Sequence, residues 1–123
     1  MIAKTAYIPD RNDIIILDFE PSKGREIGKY RPALVLSSKG YNRNTGLIIC
    51  CPISTSIRNT QTEVTISNLE YPSVVAASLI QTLSWTDRNA KFITCAENDV
   101  MTQVLQRILP LICGDSLVNF FKE

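Results

Sequence analysis

The sequence predicts a mainly β protein, with roughly five to seven short strands closing into a small barrel and one α-helix at the C-terminal end. Three observations predict it. Short runs rich in β-branched residues recur between turn-forming clusters, as in DIIILDF at residues 13–19, which sits between PDRN and EPSKG. The run LIICCPI, residues 47–53, is apolar almost throughout and reads as a central strand covered on both faces. Towards the C-terminus the apolar spacing changes from the strand period to the helical one: Val100, Val104, Ile108 and Leu111 form a stripe, with Met101, Leu105 and Ile112 beside it.

Each element follows in order. Residues 13–19 form the first strand. Pro32 opens the second, which continues through ALVLS to Ser37; proline is tolerated at the first position of a strand. YNRNTG, residues 41–46, is a turn, because Asn and Gly accept left-handed conformations. In the third strand Cys50 and Cys51 are adjacent, so their side chains face opposite sides, and Pro52 helps to end it. TEVTIS, residues 62–67, alternates polar and apolar and suggests a half-exposed strand. Residues 73–85 are too β-branched at their start for a helix and give one long strand or two short ones. KFITC, residues 91–95, is another short strand. The helix follows, with Glu97, Asn98 and Asp99 in its first turn, where acidic and polar groups suit the dipole. Thr94 with Glu97 fits a capping box, and Ala96 is an equally good cap position. Pro110 ends or kinks the helix near Leu109, and Gly114 is its stop.

Composition limits the function classes. A chain of 123 residues with 45% apolar content is one domain, residues 1–123, able to bury a core without disulfides. No apolar run is long enough to span a membrane, and the N-terminal stretch lacks the h-region of a signal peptide. The four cysteines match no zinc spacing, and there is no histidine to complete a mixed site. They read as reduced, mostly buried thiols of a cytoplasmic protein. No metal or cofactor is expected.

The net charge is +1, but it is unevenly spread. Between residues 21 and 44, Lys23, Arg25, Lys29, Arg31, Lys39 and Arg43 stand against Glu26 alone. That segment is either a phosphate-binding patch or a pair of solvated basic loops. Within it, PSKGREIGKYRPALVLSS passes from a polar, basic, glycine-containing half to an apolar run. Glu26 and Arg31 lie just before that run. Spacing alone allows a surface ion pair of small worth as well as a catalytic pair.

Four segments together resemble the MazF/PemK/Kid family of toxin endoribonucleases over about residues 7–112. They are YIPDRNDIIILDFEPSKGREIGKYRPALVLS, YNRNTGLIICCPISTS, SLIQTLSW and the terminal helix. A G-x-E-x(4)-R-P element after a D-F-[DE]-P strand is specific when its order and spacing hold over this length. The resemblance implies an SH3-like barrel with a C-terminal helix, a homodimer, and a cognate antitoxin as partner. It also implies ribosome-independent, metal-independent cleavage of single-stranded mRNA at a short sequence. In such cleavage the neighbouring 2′-hydroxyl attacks phosphorus. Histidines often carry the protons, but this chain has none. Glu26 is then the expected base, helped by any partial burial that raises its pKa. Arg31 is the expected phosphate clamp, its fork of donors matching two phosphate oxygens; the family pattern also allows it an acid role. Relatives place a threonine after the Pro-x pair against the scissile phosphate. Here that position is Ser54, with Thr55 next, and either hydroxyl could make the contact. Lys23, Arg25, Lys29, Tyr30, Thr55 and Ser56 are the expected RNA contacts. Tyr30 either stacks on a base or covers the barrel end. Trp85 matches a family tryptophan and is expected to pack in the core.

The chain departs from some members of the family. Kid-type sites use an Arg-x-Asp pair whose aspartate falls at about Ser78 here, with no arginine before it, so the MazF-type assignment transfers and the Kid-type one does not. Two other classes share the fold: CcdB-type toxins, which bind gyrase and cut nothing, and relatives that only bind RNA. The basic loop favours the nuclease.

Overall fold

The computed structural model describes residues 7–114. Its elements run β1 (Asp13–Asp18), β2 (Tyr30–Val35), α1 (Lys39–Thr45), β3 (Leu47–Ser54), β4 (Glu63–Ile66) and β5 (Ser73–Ala76). A 3-10 turn (Ala77–Leu79), β6 (Gln81–Ser84), β7 (Lys91–Cys95) and α2 (Val100–Cys113) complete the chain. The strands form a 7-stranded antiparallel sheet in the order β4-β5-β3-β2-β1-β7, and β6 pairs with β3 off this path.

β3 organises the sheet. One of its edges holds β2, with Cys50, Cys51 and Pro52 opposite Val35, Leu34 and Ala33. Its other edge holds β6 along Leu47, Ile48, Ile49 and Cys50, and then β5 at Ile53 and Ser54. A strand with neighbours on both edges and apolar cover on both faces must be apolar at successive positions, and this one is. Its side chains feed two separate cores. Cys51 and Ile53 join Ile14, Leu34, Val64 and Val75 under α2, which inserts Val100, Val104 and Ile108. Ile48 and Cys50 join Ile15, Leu17, Phe19 and Val35 on the opposite side, where Trp85 and Ile27 lean in. Burying each such Ile, Leu or Val contributes about 1.5–3 kcal/mol.

The half-exposed strand expected around residues 62–67 is β4, and residues 73–85 are two short strands with the 3-10 turn between them. Elsewhere the structure corrects the expectations. Residues 41–46 are not a turn: 41–45 belong to α1, which is capped by the Ser38 side chain accepting from the Tyr41 N–H and ended by Gly46 at φ 72°. β2 begins at Tyr30, so Pro32 is inside it; the proline lies where β2 is paired with β1 alone, since pairing with β3 starts at Ala33. Pro52 does not end β3, which continues to Ser54. α2 starts later than the sequence suggests, with Asp99 as its cap and no side-chain capping bond. Thr94 lies in β7, and Glu97 instead accepts from the Ser67 N–H at 3.0 Å. Pro110 does not stop the helix: α2 continues to Cys113, and the Gly114 N–H donates to the Pro110 carbonyl at 3.2 Å.

Leu111, expected on the buried stripe, is 62% exposed, and its neighbour Ile112 is 68% exposed. Cys50 and Cys51 are buried, Cys95 is exposed, and Cys113 is intermediate. The sheet curls into a half-barrel rather than closing by a ladder. Its two end strands, β4 and β7, meet through side chains beyond them: Ser67 with Glu97, and the Asn68 amide donating to the Cys95 carbonyl at 2.8 Å. No helix among the described residues is long and apolar enough to cross a membrane.

Candidate active site

The loop between β1 and β2 is built to hold one conformation at its root and to leave its tip in solvent. The Phe19 N–H donates to the Lys29 carbonyl at 2.9 Å and closes the neck. Arg88 ties the root from the β6–β7 connection, its Nη1 donating to the carbonyls of Asp18 at 2.9 Å and Glu20 at 2.8 Å. At Gly28 the backbone passes so close to the side chains of Glu20 and Ser22 that an added Cβ would collide with both. Lys29 takes a left-handed φ of 72°, which turns the chain just before Tyr30 and Arg31 enter β2.

Glu26 sits at the exposed tip. Its Oε1 accepts from the Lys23 N–H at 2.7 Å, while its own N–H donates to the Lys23 carbonyl at 3.0 Å. This reciprocal turn aims the carboxylate and leaves its second oxygen free for other donors. Glu26 is exposed in the single chain, so the partial burial that would help a carboxylate base is not supplied there. Arg31 is half-buried. Its Nε donates to the Gly28 carbonyl at 2.6 Å, which orients the guanidinium plane. Burial lowers its pKa from the ordinary value, and the nearby Glu20 carboxylate partly offsets this. A guanidinium stays protonated under such a shift, so Arg31 presents a full charge with part of its hydration removed. Glu26 and Arg31 thus each bond loop backbone rather than one another, unlike a closed surface ion pair.

The facing wall comes from the end of β3. Ser54 is its last residue, paired with Val74 of β5, and its Oγ accepts from the Ser56 N–H at 3.0 Å. That local turn leaves the hydroxyl proton available as a donor. The β3–β4 loop beyond is ordered by Glu63, whose carboxylate accepts from the N–H groups of Arg58 at 3.1 Å and Thr60 at 3.2 Å.

These walls enclose a central cleft of about 300 Å³ in which Arg25, Glu26, Arg31, Ser54, Ser56, Arg58 and Glu63 converge. Two depressions adjoin it. One, of about 280 Å³, is lined by Lys29, Tyr30, Arg31, Pro32, Ser54 and Thr55. The other, of about 230 Å³, is lined by Glu26, Ile27, Ser78, Leu79, Ile80 and Gln81. Every expected site residue except Lys23 lines one of these depressions with its neighbours; Lys23 contributes the N–H that holds Glu26. Tyr30 is 49% exposed beside the cleft. Trp85 is partly buried and packs against the edge of the second core, with its Nε1 donating to the Asn42 carbonyl at 2.9 Å.

Sequence reasoning missed Arg58, Glu63 and Arg88. Arg58 lies in a polar loop and Glu63 opens β4, where no residue pattern singles out either one, though an arginine followed five residues on by a glutamate repeats, in reverse order, the spacing of Glu26 and Arg31. Arg88 acts over 70 residues of sequence, which no local signal reveals. Among the described residues no group of three or more His, Cys, Asp or Glu is arranged to hold a metal.

With this geometry in hand, the likeness to known proteins is specific. The profile of PemK-like, MazF-like toxins of type II toxin–antitoxin systems matches residues 10–112. The chain is 39% identical over 84 residues to the endoribonuclease toxin MazF of Escherichia coli (strain K12), across 68% of this chain and 76% of that protein. Its fold superposes on MazF (Form-I) from Deinococcus radiodurans with a TM-score of 0.84 and 36% identity, covering 87% of this chain and 98% of that one. The MazF of a MazE–MazF complex (Form-II) from the same organism matches with a TM-score of 0.77 and 36% identity, over 87% and 97% of the two chains. Fold, motif order and sequence agree over most of the length, and the chain belongs to the PemK-like, MazF-like toxin family of type II toxin–antitoxin systems.

Proposed function

We propose that the protein is a ribosome-independent endoribonuclease toxin that cuts single-stranded mRNA at a short sequence, through Glu26, Arg31 and Ser54. The observation that carries this reading is the central cleft, where a carboxylate, a partly buried guanidinium and a strand-end hydroxyl converge with Arg25 and Arg58 at hand. The 2′-oxygen of one nucleotide attacks the adjacent phosphorus as Glu26 takes its proton. The phosphorus passes through a crowded dianionic state. Arg31 donates to two of its oxygens, and the Ser54 hydroxyl donates to one. The 5′-oxygen then departs and is protonated by solvent, leaving a 2′,3′-cyclic phosphate and a 5′-hydroxyl. The reaction needs no metal or cofactor, since proton transfer and charge stabilisation both lie within reach of these side chains. A bound ribose covers Glu26 and supplies the desolvation that the free loop tip lacks.

The same basic cleft suits an acidic antitoxin segment, in keeping with the MazE–MazF complexes among the similar structures. A homodimer accounts for the apolar residues left outside on α2, Leu105, Leu109, Leu111 and Ile112. End-group analysis of a long single-stranded RNA digested in EDTA tests the chemistry. Cyclic phosphates and 5′-hydroxyls support it; 5′-phosphates, or loss of cleavage in EDTA, overturn it.

A further inference from the structure

The three depressions lie in a row. The central cleft shares Arg31 and Ser54 with the Tyr30 depression on one side, and Glu26, Ile27 and Leu79 with the Gln81 depression on the other. The outer two share no residue. This order fixes a direction once the chemistry is placed on it. The scissile phosphate belongs at the wall formed by Arg31 and Ser54. The 2′-hydroxyl that attacks it belongs at Glu26, and it is carried by the nucleotide on the 5′ side of that phosphate. The departing 5′-oxygen belongs to the nucleotide on the 3′ side.

We infer that RNA lies in the groove with its 5′ side over Gln81 and its 3′ side over Tyr30, and that the Ser78–Gln81 segment reads the base immediately 5′ of the cut. This rests on the nuclease reading above and adds the polarity and the reading residues. The Gln81 depression has the composition of a base site. Ile27, Leu79 and Ile80 supply an apolar shelf for the flat face of a base, and Leu79 is 37% exposed. The Gln81 amide carries two donors and an acceptor, which fits the edge of a base, and the Ser78 hydroxyl stands beside it. Gln81 is placed rigidly, because it opens β6 opposite Cys50 in the buried centre of β3. Ser78 is tethered by its Oγ to the Thr62 Oγ1 at 3.5 Å. The Tyr30 depression offers a different kind of contact. An exposed aromatic ring stacks on any base and so discriminates weakly.

The test is end mapping of a long, sequence-diverse RNA cut by the wild-type protein and by Gln81→Leu and Ser78→Ala, with thermal melts alongside. Gln81→Leu keeps the bulk and removes the amide; Ser78 is exposed, so its substitution leaves the fold intact if the first variant folds poorly. The expected result is that preference at the nucleotide 5′ of the cut relaxes on the order of tenfold in Gln81→Leu, the scale of one base-edge contact. It relaxes less in Ser78→Ala, and the preference on the 3′ side is unchanged in both. A shift confined to the 3′ side, or an unaltered motif in both variants, overturns the polarity while leaving the nuclease reading in place. A wild-type protein that leaves 5′-phosphates or cuts nothing overturns both.

Discussion

Two polar regions of this chain use their hydrogen bonds in opposite ways. Around the start of α1, Asn42 is fully buried. Its amide donates to the carbonyls of Pro9 at 2.7 Å and Ser37 at 3.2 Å, and its Oδ1 accepts from the Ser37 hydroxyl at 2.5 Å. The Ser37 Oγ also accepts from the Ile49 N–H at 2.9 Å. Glu26 in the β1–β2 loop and Arg31 just after it in β2 commit part of their capacity to backbone and turn the remainder to the cleft. A buried polar group with its bonds made inside the protein fixes a fold. A charged group with orientation settled and donors to spare is prepared for something that arrives. The pair of regions teaches how to separate stability from activity here, and the separation can be tested from both ends.

Arg31→Ala carries the largest effect. Single-turnover cleavage should slow roughly 10²–10³-fold, the scale of removing one key electrostatic donor. The melting temperature should barely move, since the guanidinium faces the cleft. Arg31→Lys should restore little, because a point charge cannot replace the fork. Full activity in Arg31→Ala would erase the contrast. Asn42→Leu should do the reverse. It strands the Ser37 hydroxyl and the Pro9 carbonyl, at about 1–3 kcal/mol for each unsatisfied group, and should lower the melting temperature by roughly 5–15 °C. Cleavage per folded molecule should hold. A normal melt, or a selective loss of cleavage, would place Asn42 on the wrong side of the divide.

Glu63→Gln falls between the two. It weakens the bonds to the N–H groups of Arg58 and Thr60, so the Arg58 wall should loosen and KM should rise on the order of fivefold, with kcat changed less. Equal losses in both would mean that Glu63 acts in the chemical step instead. The smallest effect concerns thiols. Burial pushes Cys50 and Cys51 up to about 12 from an ordinary value of 9.0, whereas Cys95 is exposed. At pH 8, alkylation of the native protein should reach Cys95 long before either of the others. The buried pair retains its protons above the pKa of the unfolded chain. Its contribution to stability is therefore whole below about pH 9 and declines as pH rises toward 12. A melting temperature flat from pH 8 to 11 would sink this assignment.

The sequence revealed most where one residue type has one use. LIICCPI is central because few other places accept that many consecutive apolar side chains, and the opposed facing of Cys50 and Cys51 follows from strand geometry alone. Glu26, Arg31 and Ser54 were legible as a set because a motif kept their order, and the fold gathers them around one cleft. α1 was missed because its residues, KGYNRNT, carry no apolar stripe, and its two caps looked like turn residues. The cap of α2 was misplaced because Glu97 had a distant partner, Ser67, that competed for its carboxylate. Arg58, Glu63 and Arg88 stayed hidden for a similar reason: their roles are set by what folding brings near them.

The placement of β3 bears on how this chain can vary over time. Because its alternate residues serve two different cores, inserting or deleting one residue between Ile48 and Ile53 would send Cys51 and Ile53 to the side of Ile48 and Cys50, and the reverse. Both interiors would fail at once, and Ser54 would leave the cleft with them. Changes of length must therefore settle in the segments flanking the groove, such as residues 55–62, which lie outside both cores and are almost wholly exposed. On the reading proposed above, drift in this lineage should rewrite the target sequence far more readily than the cutting chemistry.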